Sequence, residues 1–266
     1  MLPASCQRDA PGVIRSLYSS IHLPYPADQW MDKAVDKVMT KKQNAKNRRS
    51  DGEETLNRIL HHAEKLFSID GYAGVSLRKI TGDAGVDLAL IKYYFGSKEG
   101  LFDAVLSRRV GRMSEKRLSG LANIDIVPNS EKSVEELLRV FLAPMLGDTP
   151  AEVKELKNYR LLIALVTNSR NWQDVAFKTH YDPVAIKFLE ALSRALPDVS
   201  WDRICWAFSF FLGSVVNAIA ETGRVDRLSG GKCRSSDLQT AYRELIQYST
   251  GAFMSLARSD LDKGSS

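Results

Sequence analysis

The chain has 266 residues, 44% of them hydrophobic, and its 37 Lys and Arg exceed its 32 Asp and Glu by five. The length favours about two domains, and the apolar content is ordinary for a globular protein. Cys6, Cys205 and Cys233 are odd in number and widely separated. This pattern argues against a disulfide framework or a zinc site and indicates a cytoplasmic location.

Three sequence motifs that are typical of enzymes do not occur in the sequence. Gly230-Gly231-Lys232 lacks the earlier glycine of a phosphate-binding loop, and no G-x-S-x-G segment occurs. His61-His62 does not have the H-E-x-x-H spacing of a zinc enzyme. We therefore expect a protein that is not an enzyme and has no catalytic residue, metal site or cofactor.

The excess positive charge lies at the start of the chain. Residues 1–50 contain nine Lys or Arg and four acidic residues, whereas the remaining residues contain equal numbers of each. We expect residues 1–50 to be a disordered basic extension without a secretory signal, with Met31 and Met39 as alternative starts. The basic run from Lys37 to Arg49 is either a solvated tail or a flexible arm that follows DNA phosphates or enters a minor groove.

Residues 51–100 have the pattern of three helices in a helix-turn-helix arrangement. One face of the first helix is apolar: Leu56, Ile59, Leu60, Ala63, Leu66 and Phe67. Gly71 is placed to end this helix, and Ser76 to cap a short second one. After a turn at Gly85, Asp87 is predicted to cap a third helix that ends near Phe95.

The segments S-L-R-K-I, A-G-V and A-L-I-K-Y-Y-F-G-S-K-E-G-L-F resemble the N-terminal domain of the TetR family of bacterial transcriptional regulators. The resemblance spans roughly Thr55 to Leu106, and Tyr93 to Phe102 is its most specific part. With no strand pattern in the sequence, it implies an all-α fold. The expected parts are a helix-turn-helix DNA-binding domain at 51–100, a connecting helix at 101–122, a helical effector and dimerisation domain at 123–260, and a disordered tail at 261–266.

Capping patterns predict the boundaries of the helices that follow. The connecting helix is expected from Lys98 to about Leu121, with Arg108, Arg109 and Arg112 solvated rather than bound to DNA. Ser133-Val-Glu-Glu has the form of a capping box that opens a helix ending at Leu146. Thr149 followed by proline predicts a further helix that continues through Val166, and another helix is expected over residues 184–196.

The helix predicted over residues 200–221 is apolar on nearly all sides. It is shorter than a membrane span and is interrupted by Gly213 and Asn217, so we expect no membrane association. A helix of this kind must be covered on all sides, which indicates a partner subunit. The resemblance places this helix and the last one, residues 236–256, in a four-helix homodimer interface.

The resemblance also implies how an operator would be contacted. A dimer would read two half-sites of double-stranded DNA about one helical turn apart. Bases would meet Arg78 and the start of the third helix, and phosphates would meet residues that follow. The candidate residues are Arg78, Lys79, Asp87, Leu88, Ala89, Leu90, Lys92, Tyr93, Tyr94 and Lys98. Leu88-Ala89-Leu90 has no hydrogen-bonding side chain, so few direct base bonds are expected, with more reliance on Arg78 and DNA shape; Lys79 is equally consistent with solvent.

Aromatic residues in the C-terminal half either enclose a pocket for a small hydrophobic or aromatic effector or simply form core. Polar residues among them are either ligand contacts or satisfied structural groups. The candidate effector-binding residues are Arg160, Asn168, Trp172, His180, Trp206, Phe210 and Asn217.

The expected function is ligand-responsive, sequence-specific transcriptional regulation, with a repressor released from a palindromic operator when its effector binds. The alternatives are an activator of the same family and a nonspecific nucleic-acid-binding protein that uses the basic arm. Equal affinity for random duplex would distinguish the nonspecific protein from both regulators.

Overall fold

The computed structural model describes residues 45–147, 149–167 and 181–261. Within these ranges all regular structure is helical, which confirms the all-α prediction. The helices are α1 Ala45–Gly74, α2 Leu77–Ala84, α3 Leu88–Phe95, α4 Lys98–Ala122, α5 Glu131–Leu146, α6 Pro150–Glu155, α7 Lys157–Thr167, α8 Asp182–Ala195, α9 Trp201–Ile219, α10 Arg224–Leu228 and α11 Leu238–Leu261.

Contacts divide the chain into two units, Met1–Glu54 and Thr55–Ser266. Of the first unit the structure describes residues 45–54, which are helical, so α1 begins ahead of the apolar stripe that starts at Leu56. The greater part of the expected basic extension, residues 1–44, lies outside the described residues. The side chains of residues 45–51 do as well.

Helices α1, α2 and α3 form a three-helix head, in which the sequence predicted the caps of α2 and α3. Helix α1 is interrupted at Gly71, which has the positive φ of 68° that its predicted position requires. Ser76 and Asp87 cap α2 and α3, and both caps are confirmed. The buried core of the head includes Ile59, Ala63, Phe67, Ile80, Ala84, Ile91 and Phe95.

Helix α4 belongs to both halves of the second unit. At its start Leu101, Phe102 and Val105 are buried in the head core. At its end Gly120 lies against α5, where a Cβ atom would be 2.5 Å from Cγ1 of Val140. The helix therefore connects the head to the C-terminal bundle without a break.

The C-terminal bundle has an aromatic centre. Helix α5 packs against α4, α8 and α11, and α9 packs against α7, α8 and α11. The Phe141 ring lies 4.6 Å from that of Phe188 and 5.5 Å from that of Phe208, measured between centroids. Phe211 and Phe253 extend this cluster toward α11.

Two capping predictions in this half were wrong in detail. Helix α5 begins at Glu131 with Ser130 as its cap, and the buried Ser133 hydroxyl instead accepts from the Val127 N–H at 3.0 Å. The reason is the preceding turn, in which the Asn129 N–H donates to the Ala195 carbonyl and ties the chain to α8. The predicted helix after Thr149 is divided at Leu156 into α6 and α7.

The prediction that the arginines of α4 are solvated was wrong for Arg108 and Arg109, which are partly buried, whereas Arg112 is exposed. Only 14% of the Arg109 side chain is exposed, and its Nη1 donates to Glu155 Oε1 at 2.6 Å while its Nε lies 3.4 Å from Glu64 Oε2. Arg112 pairs with Glu152 at 2.8 Å. These ion pairs join α4 to α1 on one side and to α6 on the other.

Among the described helices, none combines the length and the apolar character that crossing a membrane requires.

Candidate functional site

The turn between α2 and α3 is held by local hydrogen bonds. The Ser76 hydroxyl accepts from the Lys79 N–H at the start of α2. Gly85 ends that helix in a left-handed conformation with φ of 62°, and the Val86 N–H donates to the Thr81 carbonyl at 3.0 Å. Asp87 Oδ1 then accepts from the Ala89 N–H at 2.6 Å. Since these contacts span only a few residues, they fix the position of α3 against α2.

Helix α3 has a buried face and an exposed face. Ile91 and Phe95 are buried, and Leu90 packs partly against the head core. Ala89 and Lys92 are exposed, and 58% of Tyr93 is exposed. The exposed face is therefore short, mostly apolar at its start and polar toward its end.

The link from α3 to α4 depends on two glycines, Gly96 and Gly100. Gly96 has a φ of 73°, and the Ser97 hydroxyl caps α4 by accepting from the Gly100 N–H at 3.0 Å. A Cβ atom on Gly100 would lie 2.2 Å from the Phe95 carbonyl oxygen. Gly100 is thus a steric requirement for packing the start of α4 onto the end of α3.

The basic residues of the head differ in how far other groups engage them. Arg78 is exposed, and its guanidinium donates to none of the residues that the structure describes. Lys79 Nζ lies 2.7 Å from Asp70 Oδ2, a hydrogen bond that raises the pKa of Lys79. Lys98 Nζ lies 4.3 Å from the centroid of the Tyr72 ring, and desolvation lowers its pKa. Among Arg78, Lys79 and Lys98, Arg78 is therefore the one most available to a partner.

Two sequence profiles match the chain. The profile described as bacterial regulatory proteins, tetR family, matches residues 59–105, and that of the tetracyclin repressor-like C-terminal domain matches residues 139–252. The chain belongs to the TetR family.

Individual TetR-family relatives are distant. The chain is 31% identical over 86 residues to the probable HTH-type transcriptional regulator YttP of Bacillus subtilis (strain 168), and the match covers 32% of this chain and 40% of YttP. A putative tetR family transcription regulator from Shewanella sp. PV-4 superposes with a TM-score of 0.53 at 16% identity, over 76% of this chain and 96% of that one. This similarity shows a shared fold.

Of the predicted effector-binding residues that the structure describes, Phe210 and Asn217 line one open groove between α9 and α11, with Trp206 next to Phe210. Asn168, Trp172 and His180 lie outside the described residues. Trp206 and Phe210 are 64% and 67% exposed on α9, with stacked rings 5.8 Å apart.

Arg160 does not line the open groove of Phe210 and Asn217. The Arg160 guanidinium is buried and donates to the Met145 carbonyl at 3.2 Å and to the Val153 carbonyl at 2.9 Å. These bonds tie α5, α6 and α7 together. Asn217 lines an open cleft of about 840 Å³ beside Arg224 and Arg234.

A buried polar cluster that the sequence reasoning missed lies where α4 meets α5 and α7. Arg117 is only 8% exposed, its Nε donates to the Phe141 carbonyl at 2.7 Å, and its guanidinium carbon lies 4.4 Å above the Phe141 ring. The Tyr159 and Tyr181 hydroxyls share a hydrogen bond of 2.6 Å nearby. The available signal was spacing, since Arg117 follows Val110 and Met113 on the buried stripe of α4.

The tyrosines of this cluster are neutral at physiological pH. Burial raises the pKa of Tyr159 to about 12, against smaller opposing effects of the Tyr181 hydroxyl and Arg117. Burial also raises the pKa of Tyr181. Desolvation lowers the pKa of Arg117, but a guanidinium keeps its proton in proteins. The cluster therefore holds one positive charge.

Proposed function

We propose that the chain is a ligand-responsive, sequence-specific DNA-binding transcriptional regulator. In this proposal it acts as a repressor that a small hydrophobic or aromatic effector releases from a palindromic operator. The observation that supports this most is the exposed start of α3, fixed by the Asp87 cap and flanked by the unengaged Arg78 guanidinium. Family membership supports it independently.

Base reading would depend on few side chains. Arg78 can donate two hydrogen bonds to a guanine edge, a contact worth about 1–3 kcal/mol of discrimination. Leu88 and Ala89 offer apolar contacts to thymine methyl groups, whereas Leu90 is partly occupied by the head core. Asp87 is engaged as a helix cap. The remaining preference would come from the shape of the DNA.

Phosphate contacts would flank this surface. Lys92 and Tyr93 are exposed on α3, and Tyr94 and Lys98 are partly buried beside them. Lys79 would have to exchange its ion pair with Asp70 for a phosphate, so its contribution would be smaller. Such contacts position the head without reading sequence.

Pairing through α9 and α11 would cover the most exposed aromatic side chains among the described residues of the bundle. Trp206 and Phe210 on α9 and Tyr248 on α11 are each more than 60% exposed. A Cβ atom at Gly213 or Gly251 would meet no neighbour within 4 Å. Exposed apolar patches of this kind mark interaction sites, and a two-fold dimer would present two α3 helices to half-sites about 34 Å apart.

The continuous helix α4 offers a route from effector to operator. Its ion pairs from Arg109 to Glu64 of the head and to Glu155 of the bundle tie the two parts to one element. A ligand that favours a different position of α4 would change the separation of the two α3 helices. Release then follows from the difference in ligand affinity between the two conformations.

Footprinting of the purified full chain on DNA that flanks its own gene tests this function. We expect a protected site with two-fold symmetry and half-sites about one helical turn apart. Transcription from that promoter with and without the protein separates repressor from activator. Uniform, sequence-independent protection would instead identify a nonspecific nucleic-acid-binding protein.

A further inference from the structure

Two lysines of the head are held in different ways. Lys79 Nζ pairs with the Asp70 carboxylate at 2.7 Å. Lys98 Nζ instead lies over the face of the Tyr72 ring, 4.3 Å from its centroid. A carboxylate neutralises the lysine that it holds, whereas an aromatic ring attracts an ammonium group without carrying a net charge. The contact with Tyr72 therefore holds Lys98 and leaves its positive charge available to an anion.

The Tyr72 ring is supported by two buried rings of the head core. Helix α1 is interrupted at Gly71, and the ring of the next residue, Tyr72, packs against the core. The Tyr72 centroid lies 6.0 Å from that of Phe67 and 5.1 Å from that of Phe102. Both phenylalanines are almost fully buried. Because close-packed rings support it, the Tyr72 ring offers a fixed face to Lys98.

Helix geometry explains why one ring reaches both Phe102 and Lys98. Lys98 is the first residue of α4, and Phe102 lies one turn later on the same face of that helix. The dipole of a helix disfavours a cation in its first turn. The contact with the Tyr72 ring offsets part of this cost in the free protein. An anion that approaches the start of α4 would meet both the ammonium group and the positive end of the dipole.

We propose that Tyr72 is a positioning residue for DNA binding, whose ring holds the Lys98 ammonium group at the start of α4 for contact with a phosphate of the operator backbone. This inference rests on the proposed function, because it explains how one of the proposed phosphate contacts is prepared. Tyr72 acts through Lys98 and does not itself contact the DNA.

Preparation of the lysine matters because its side chain is long and flexible. A lysine loses rotamer freedom when it binds a phosphate, and a contact that already restricts it reduces this loss on binding. Burial and the charge of Glu99 raise the pKa of Tyr72, so the phenol is neutral at physiological pH and adds no charge that would repel a phosphate. The ring of Tyr72, rather than its hydroxyl, is what the contact with Lys98 requires.

A double-mutant cycle on the full chain tests this role, with the wild type, Tyr72→Leu, Lys98→Met and the double variant. Anisotropy titrations use the footprinted operator and a scrambled duplex over a series of salt concentrations. We expect Tyr72→Leu to weaken binding to both duplexes by about 3- to 10-fold. The dependence of affinity on salt should become shallower, because a phosphate contact is weakened. In the Lys98→Met chain, Tyr72→Leu should cause no further loss, since the residue through which it acts is absent.

Tyr72→Phe is the matched control. It keeps the aromatic face and removes only the hydroxyl, so its affinity for both duplexes should stay within about 2-fold of the wild type. Tyr72→Leu is also expected to lower Tm, because contacts with Phe67 and Phe102 are lost. Thermal unfolding of each variant is measured first, and the titrations are made well below the lowest Tm.

Three results would overturn the proposal. One is a loss of affinity from Tyr72→Leu that is as large in the Lys98→Met chain as in the wild type, which would show that Tyr72 only supports the fold of the head. The second is a loss in Tyr72→Phe equal to that in Tyr72→Leu. The third is unchanged DNA binding in Tyr72→Leu or in Lys98→Met.

Failure of the proposed function would look different. Equal affinity of the wild type for the operator and the scrambled duplex would contradict sequence-specific regulation. The cycle between Tyr72 and Lys98 would still decide the role of Tyr72, because a phosphate contact is made on either duplex.

Discussion

At the scale of single residues, the same side-chain type serves different purposes according to what surrounds it. Arg78 is exposed and unengaged by described residues, Arg109 is paired with two carboxylates, and the buried Arg117 donates to a backbone carbonyl. Lys79 and Lys98 are both near α3, yet one is paired with Asp70 and the other stacks on an aromatic ring. These differences determine which substitutions should affect DNA binding.

Replacing Arg78 with alanine should reduce discrimination at one base step by about 1–3 kcal/mol, or roughly 5- to 150-fold, because a bidentate contact to a base is lost. Lys98→Ala should weaken binding to all duplexes alike, since a phosphate contact carries no sequence information. Anisotropy titrations on the operator and on single-base variants measure both effects. An equal loss on every sequence for Arg78→Ala would reassign Arg78 to phosphate binding.

The buried Tyr159 predicts a loss of stability in alkali. Its pKa is raised to about 12, so between pH 10 and 12 the unfolded chain releases this proton before the folded chain does. The contribution of Tyr159 to the free energy of unfolding is present in full below pH 10. It is lost as the pH rises toward 12, which lowers the free energy of unfolding by about 3 kcal/mol. Urea unfolding across this range should show a smaller decline in Tyr159→Phe. An unchanged decline would mean that Tyr159 ionises normally.

At the scale of elements, the caps of the head were predictable and the long-range contacts of the bundle were not. Ser76, Gly85 and Asp87 fix α2 and α3 through contacts within a few residues, and such contacts are visible in a sequence. The hydrogen-bond partners of Arg117 and Arg160 could not be predicted from the sequence, because they include Phe141 and Met145, which lie many positions away in the chain. The start of α5 was predicted wrongly at Ser133 for the same reason, because the hydrogen bond from Asn129 to the Ala195 carbonyl of α8 determines where α5 begins.

Alanine substitutions at two glycines of α4, Gly100 and Gly111, should have opposite effects on stability. Gly100→Ala should destabilise the chain by about 1–3 kcal/mol and weaken DNA binding, because its Cβ would collide with the Phe95 carbonyl. Gly111→Ala is the matched control, since a Cβ there meets nothing within 4 Å and alanine favours a helix by about 1 kcal/mol. Chemical denaturation measures both. If Gly100→Ala were as stable as Gly111→Ala, the close approach would be absent.

The ion pairs across α4 should differ in strength according to burial. Glu64 is 2% exposed and Glu155 is 54% exposed, although both face Arg109. Removing the arginine in Arg109→Met leaves Glu64 buried and unpaired, at a cost of about 3–5 kcal/mol, whereas Glu155→Gln should cost about 1 kcal/mol or less. Denaturant unfolding compares them, and similar losses would show that Glu64 does not depend on Arg109.

At the scale of the whole molecule, the proposed reading of a two-fold operator requires two copies of the chain acting together. The exposed rings of Trp206, Phe210 and Tyr248 lie on the two helices that the proposed dimer would bury. Phe210→Glu should convert the dimer to a monomer, because a charge would be buried at the interface. Sedimentation velocity measures the change, and operator affinity should fall with it. A Phe210→Glu protein that stays dimeric would place the interface elsewhere.

Sequence-specific DNA binding is the claim on which the rest depends. It is tested most directly by an anisotropy titration of the wild-type chain at one salt concentration, with the footprinted operator and a scrambled duplex of the same composition. The operator should bind at least about 10³-fold more tightly than the scrambled duplex. Equal affinity for the two duplexes would contradict it.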